Sequence, residues 1–123
     1  FVKKRNDIAK VYNKSLKNLP LILPEKISNS YSAFHLYVVR TKNKKIKTDL
    51  INYLFKKKIF VGFHYIPIYH HPFYKKMGFK KGYCVNMEKY YDTAISLPIY
   101  PKLKKIDQKL ICKYLKLFFN AKK

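Results

Sequence analysis

Two apolar spacings alternate along this chain, and their alternation limits what it can fold into. Ile106, Leu110, Ile111, Tyr114, Leu115 and Phe118 recur at intervals that place them along one face of an amphipathic helix. Ile46, Leu50, Ile51, Leu54 and Phe55 make a second such stripe under an outer face of lysine and asparagine. Ile8, Tyr12, Ser15, Leu16 and Leu19 make a third, predicting a helix over residues 5–18 with Asn6 or Asp7 near its start and Pro20 as its stop. β-Forming runs lie between them. Residues 33–39 read as a first strand and residues 60–66 as a second, ended by Pro67 because proline has no N–H for the ladder. Residues 70–82 read as a loop carrying a helical turn or two, residues 87–94 as a short helix, and residues 95–101 as extended because two prolines constrain their predecessors. The pattern predicts an α/β domain, a short sheet packed with helices.

At 123 residues there is room for one such core, and 48% apolar with 17% aromatic content argues against disorder. The longest uncharged apolar stretch, residues 59–69, is 11 residues long and includes His64 and Pro67. A membrane helix needs roughly 20, so no membrane partner is expected. The chain starts at Phe1, and no basic head, apolar middle and cleavage site follow, so a fragment without a leader is expected. Cys84 and Cys112 lack a C-x-x-C partner. They indicate no disulfide framework and no zinc site, suit a reducing cytoplasm, and make Cys84 a packed free thiol by expectation.

The formal charge of +22 invites a nucleic-acid or other polyanion reading. However, only Arg5 and Arg40 among the 28 basic residues carry the planar guanidinium that groove and phosphate recognition favours. Lys, Asn, Ile, Tyr, Phe and Met, all with A/T-rich codons, supply 69 of the 123 residues. The lysines are scattered in pairs and triplets from Lys3-Lys4 to Lys122-Lys123. A lysine-biased solvated surface accounts for this, with a basic nucleic-acid-binding module as the alternative.

Little chemistry is on offer. Asp7, Glu25, Asp49, Glu88, Asp92 and Asp107 all sit among lysines, so paired carboxylates for acid–base work are not expected. His64, His70 and His71 have no acidic or thiolate ligand at motif spacing, which predicts no metal site and one partly buried imidazole. None of the 26 lysines shows a sign of a depressed pKa, and three glycines cannot build a phosphate-cradling loop. One stretch does stand out. Strand alternation predicts His64, Ile66 and Ile68 on one side and Tyr65, Pro67 and Tyr69 on the other, where Pro67 frees main-chain groups beside aromatic faces suited to a planar base or a sugar.

Arg5-x-x-x-Ala9-x-x-Tyr12-x-x-x-Leu16, the run Ser32 to Arg40, and above all HYIPIYHHPFYKKMGF (residues 64–79) and SLPIYPKL (residues 96–103) resemble the C-terminal domain of DegT/DnrJ/EryC1/StrS sugar aminotransferases. The likeness is greatest to those that aminate the 4-keto sugar of a UDP-linked deoxy-N-acetylhexosamine on the route to pseudaminic acid. The resemblance implies a fold-type I transferase that uses pyridoxal 5'-phosphate, takes its amino group from glutamate and works as a homodimer. It divides the chain into a connecting helix at residues 1–20 and a small C-terminal domain at residues 21–123, with the cofactor lysine in a large domain upstream of Phe1. Tyr65, Ile66, Pro67 and Ile68 would then contact the nucleotide-sugar, with His64 and Tyr69 nearby. No residue here would be catalytic or bind the cofactor, His35 would pack in the first strand, and the isolated piece would be inactive.

Overall fold

Strand β2 (Ala94–Leu97) is buried along its whole length, and the other elements are arranged around it. The computed structural model describes residues 1–25 and 27–121, so the Lys122-Lys123 pair lies outside the described residues. In chain order the elements are α1 (Val2–Leu16), β1 (Tyr37–Arg40), α2 (Lys44–Lys56), a 3-10 turn (Ile68–His70), α3 (Pro72–Lys76), α4 (Val85–Thr93), β2 and α5 (Lys105–Asn120). This is the small α/β domain that the apolar spacings predict, a short antiparallel sheet covered by helices.

The sheet pairs Tyr37 with Leu97, Val38 with Ser96, Val39 with Ile95 and Arg40 with Ala94. Each outer edge carries a single bridge, Ile22 to Arg40 on one side and Gly62 to Ser96 on the other. Both predicted strands are therefore shorter than their β-forming runs. The first starts at Tyr37 rather than at residue 33, since Phe34 sits at φ 43°, outside extended backbone, and β2 offers only four partners. The second is reduced to the Gly62 bridge. The bridge is antiparallel, so residues 63–66 run toward the start of β2 at Ala94, where α4 ends at Thr93 and leaves residues 65 and 66 no extended partner.

Helix α1 starts earlier than its stripe predicts, and Asn6 does not cap it. Its Nδ2 donates instead to the carbonyls of Val2 (3.1 Å) and Ser32 (2.8 Å), tying the helix to the segment before β1. Asn43 does cap α2, its Oδ1 accepting from the Ile46 N–H at 3.0 Å. Tyr12 and Tyr37 fill the centre with ring centroids 4.9 Å apart. Their hydroxyls donate to the Pro98 carbonyl (2.9 Å) and to Asn13 Oδ1 (2.5 Å), so burial leaves neither unpaired and pushes both phenols well above their usual pKa.

α5 packs on α1 and α2, but not along the whole stripe read from its sequence. Ile111, Leu115 and Phe118 are buried together with Cys112, Phe119 and Gln108, while Ile106 is 69% exposed and Leu110 is exposed too. The buried face is centred on Gln108, whose Nε2 donates to the Ile8 carbonyl at 2.7 Å, and so it is turned away from Ile106. Leu115→Ala is expected to cost about 2–5 kcal/mol through the cavity it leaves. Ile106→Ala should stay within about 0.5 kcal/mol. Urea unfolding of the two variants checks the contrast.

Candidate functional site

Gly62 is where the segment of interest meets the sheet. Its N–H donates to the Ser96 carbonyl and its carbonyl accepts from the Ser96 N–H, both at 2.9 Å. Two residues on, His64 Nδ1 lies 2.8 Å from Ser96 Oγ. The imidazole covers Gly62 so closely that a Cβ there would lie 2.3 Å from His64 Cε1. Glycine is required by this close approach. His64 is thus partly buried, held by a serine of the central strand; the sequence predicts one such imidazole, and His70 is a second.

Beyond His64 the expected two-sided alternation is not found. Pro67 and Tyr69 are buried, whereas Tyr65 is 64%, Ile66 40% and Ile68 61% exposed. The segment is no strand. The 3-10 turn, closed by His70 N–H to the Pro67 carbonyl (2.8 Å) and His71 N–H to the Ile68 carbonyl (3.0 Å), rotates Ile68 outward between its two buried neighbours. The six candidate residues remain contiguous but divide in role. Pro67 and Tyr69 anchor the segment, His64 ties it to β2, and Tyr65, Ile66 and Ile68 form its outer face.

Glu88 supplies the anchor for Tyr69, and the sequence reading did not find it. Glu88 Oε1 accepts from the Gly82 N–H (2.6 Å) and from the Tyr69 hydroxyl (3.0 Å), which also faces the Cys84 carbonyl (3.1 Å). His70 Nε2 lies 3.4 Å from the same oxygen, and the His70 and Glu88 side chains are largely buried. The Gly82 N–H above all, then Tyr69 and His70, hold the Glu88 carboxyl below its ordinary value against an opposing burial effect. Glu88 also lies in the first turn of α4, which has no side-chain cap, where a negative charge suits the helix dipole. A signal was available: residues 50–87 contain no acid, so a buried donor in that aromatic, basic stretch has no closer carboxylate to meet.

Other expectations need correction. His35 is exposed and does not pack in a strand, because β1 begins two residues later. Cys84 is a free thiol but an exposed one, since it precedes α4 on the surface; Cys112 is the buried cysteine. Lys47 breaks the rule of an all-solvated lysine face. It is buried, its Nζ donates to the Tyr91 carbonyl in the last turn of α4, and it lies 4.5 Å from the Tyr91 ring centroid and 5.5 Å from that of Phe63. Burial pulls its pKa down, with Asp92 opposing and Lys44 adding to the fall. Asp7, Asp49 and Asp92 pair with Lys10, Lys45 and Lys44 at 3.9, 3.5 and 3.2 Å, local contacts with no catalytic geometry.

Lys47 also tests whether these residues fit pyridoxal phosphate. An amine that holds an aldehyde needs a free approach to its nitrogen, but Lys47 Nζ is committed to a helix carbonyl and enclosed by two rings. The described residues do not fit the cofactor, and no step through it is derived from them. Among the described residues, no three or more His, Cys, Asp or Glu converge as metal ligands would, and no helix is long and apolar enough to cross a membrane. Two clefts, about 480 Å³ beside Phe60 and Tyr100 and about 750 Å³ between α1 and residues 24–38, do not include residues 64–69.

The fold, a short antiparallel sheet packed by helices, is that of the small C-terminal domain of fold-type I transferases. The chain belongs to the DegT/DnrJ/EryC1/StrS aminotransferase family, whose sequence profile matches residues 1–116. It is 42% identical to the uncharacterized protein MJ1066 of Methanocaldococcus jannaschii over 82% of this chain and 28% of that protein. Spr1654 from Streptococcus pneumoniae, solved in a PMP form, superposes with a TM-score of 0.90 at 23% identity over 98% of this chain and 31% of that one. PseC of Helicobacter pylori, an aminotransferase involved in the biosynthesis of pseudoaminic acid, gives a TM-score of 0.86 at 25% identity over 98% of this chain and 33% of that one. The chain thus spans about a third or less of the length of these relatives.

Gly62→Ala is expected to push His64 off Ser96 and to cost about 0.5–1.5 kcal/mol, the net worth of one hydrogen bond. Ser96→Ala should cost a similar amount, and the double variant little more than either, as a double-mutant cycle by urea unfolding will read. Because the Glu88 carboxyl is depressed in the fold, its contribution is full above about 4.5, its ordinary value, and is lost as pH falls through the folded value. Amide exchange at Gly82 across that range should show protection vanishing on acidification.

Proposed function

We propose that this chain is the small C-terminal domain of a pyridoxal-phosphate-dependent aminotransferase that passes an amino group from glutamate to the 4-keto position of a UDP-linked deoxy-N-acetylhexosamine, as pseudaminic acid biosynthesis requires. Residues 1–20 would be its connecting helix and residues 21–123 the small domain, with the remainder of the protein holding the cofactor. The protein would work as a cytoplasmic homodimer, its active sites completed between subunits. The observation that carries the reading is the outer face of Tyr65, Ile66 and Ile68, held by buried Pro67 and Tyr69, in a chain of this family. The phrases at residues 64–79 and 96–103 and the likeness to PseC support the choice of sugar.

When bound, pyridoxal phosphate supplies the electron sink and carries the amino group. The part left to this chain is binding. Tyr65 offers a ring for the uracil or sugar face, Ile66 and Ile68 offer apolar contact, and Pro67 keeps the backbone between them in one conformation. Such contacts hold substrate and transition state alike, so their loss should raise KM more than it lowers kcat.

The test uses the complete protein encoded by the reading frame that contains this chain. Supplied with pyridoxal phosphate, glutamate and the UDP-linked 4-keto sugar, it should yield the 4-amino sugar and 2-oxoglutarate. Tyr65→Ala and Ile68→Ala should each raise KM for the sugar by about tenfold, with KM for glutamate within about twofold of its original value. Turnover of a keto sugar on another nucleotide, with none on the UDP sugar, would refute the substrate assignment.

A further inference from the structure

The geometry points to Glu88 as the positioning residue of the substrate-facing segment, fastening Tyr69 so that Tyr65, Ile66 and Ile68 keep one orientation. The inference rests on the role proposed above for that face. Glu88 itself turns inward and acts through Tyr69.

The segment from His64 to Tyr69 is held at both ends. At its start His64 is tied to Ser96 of β2, a position fixed by the sheet. At its end Tyr69 is tied to Glu88 of α4. Only four residues lie between the two ties, and three of them form the exposed face. A chain that short between two fixed points has few conformations, which spares the bound state part of the ordering cost of binding. The second tie depends on one oxygen atom. Glu88 Oε1 gathers the Gly82 N–H, the Tyr69 hydroxyl and, at ion-pair distance, His70 Nε2, from the turn before α4 and from the 3-10 turn. With no acid among residues 50–87, nothing else in that stretch can take its place.

The arrangement separates acceptance from charge. Glutamine keeps an oxygen for the Gly82 N–H and the Tyr69 hydroxyl and gives up only the charge that faces His70; alanine gives up everything. In the complete protein, Glu88→Ala is therefore expected to raise KM for the nucleotide-sugar by about tenfold. Single-turnover release of 2-oxoglutarate from glutamate, which does not involve the sugar, should stay within about twofold of the wild-type rate. Glu88→Gln should recover KM to within about threefold, and Tyr69→Phe added to Glu88→Ala should bring little further loss.

Peptide-level hydrogen exchange supplies a readout that needs no substrate. Glu88→Ala should lose protection within residues 62–84 and keep it in α1, α2 and α5. An unchanged KM for the sugar, an equal loss in the glutamate half of the reaction, a glutamine variant as poor as alanine, or unaltered exchange at residues 62–84 would each overturn the proposal. Should the wild type turn over no UDP-sugar, the functional reading falls by itself. The tie is then judged on exchange alone, local loss supporting it and unaltered exchange refuting it.

Discussion

Ser96 is the point on which this domain depends. Its N–H and carbonyl both go to Gly62, its strand pairs with β1, and its hydroxyl meets His64. A serine buried in a four-residue strand has no water to turn to, so each of its polar groups must find a protein partner or carry the cost of desolvation. The partners it finds join the sheet, the edge bridge and the start of the candidate binding segment. Because Gly62 pairs antiparallel with Ser96, the residues after it run back toward Ala94, where α4 ends and the edge of β2 gives out, so the chain leaves the sheet instead of extending it.

That departure makes the segment usable. A strand continuing along β2 would have been committed to main-chain pairing. A segment tied at His64 and Tyr69 and free between them presents three apolar side chains outward on a short backbone. The same logic orders the polar groups near it. Three of the aspartates sit in exposed or half-exposed lysine pairs on the surface, where such contacts contribute little. Glu88, enclosed with Tyr69 and His70, does a different job with the same functional group because burial gives its hydrogen bonds weight.

Lys47 shows how far composition can mislead about a single side chain. In a chain with 26 lysines it is natural to assign every one to solvent, and most of them belong there. Lys47 instead reaches from α2 to a carbonyl in the last turn of α4, between the rings of Phe63 and Tyr91, and so links two helices to the stretch leading into His64. Its charge favours that carbonyl end of the helix, and its stem packs against aromatic surface.

The helices and their order were legible in the sequence because spacing of three and four is a local property that survives without knowledge of neighbours. So was the glycine-marked loop; but the second β-forming run leaves the sheet at Gly62, well before Pro67, and where one partly buried imidazole is expected the structure has two, His64 and His70. The motif at residues 64–69 was legible as a stretch, since its residue types are local too. Strand lengths were not. A β-forming run becomes a strand only as far as its partner extends, and β2 offers four residues. Which part of the α5 stripe is buried was also undecided, because Gln108 turns the helix through a hydrogen bond to Ile8, a hundred residues away. Glu88, Lys47 and Ser96 gain their roles from partners 19, 44 and 32 residues distant in the chain. Local spacing therefore determined which segments coil and which extend, whereas the pairing of buried polar groups, a property of contacts between distant segments, was decided only by the tertiary structure.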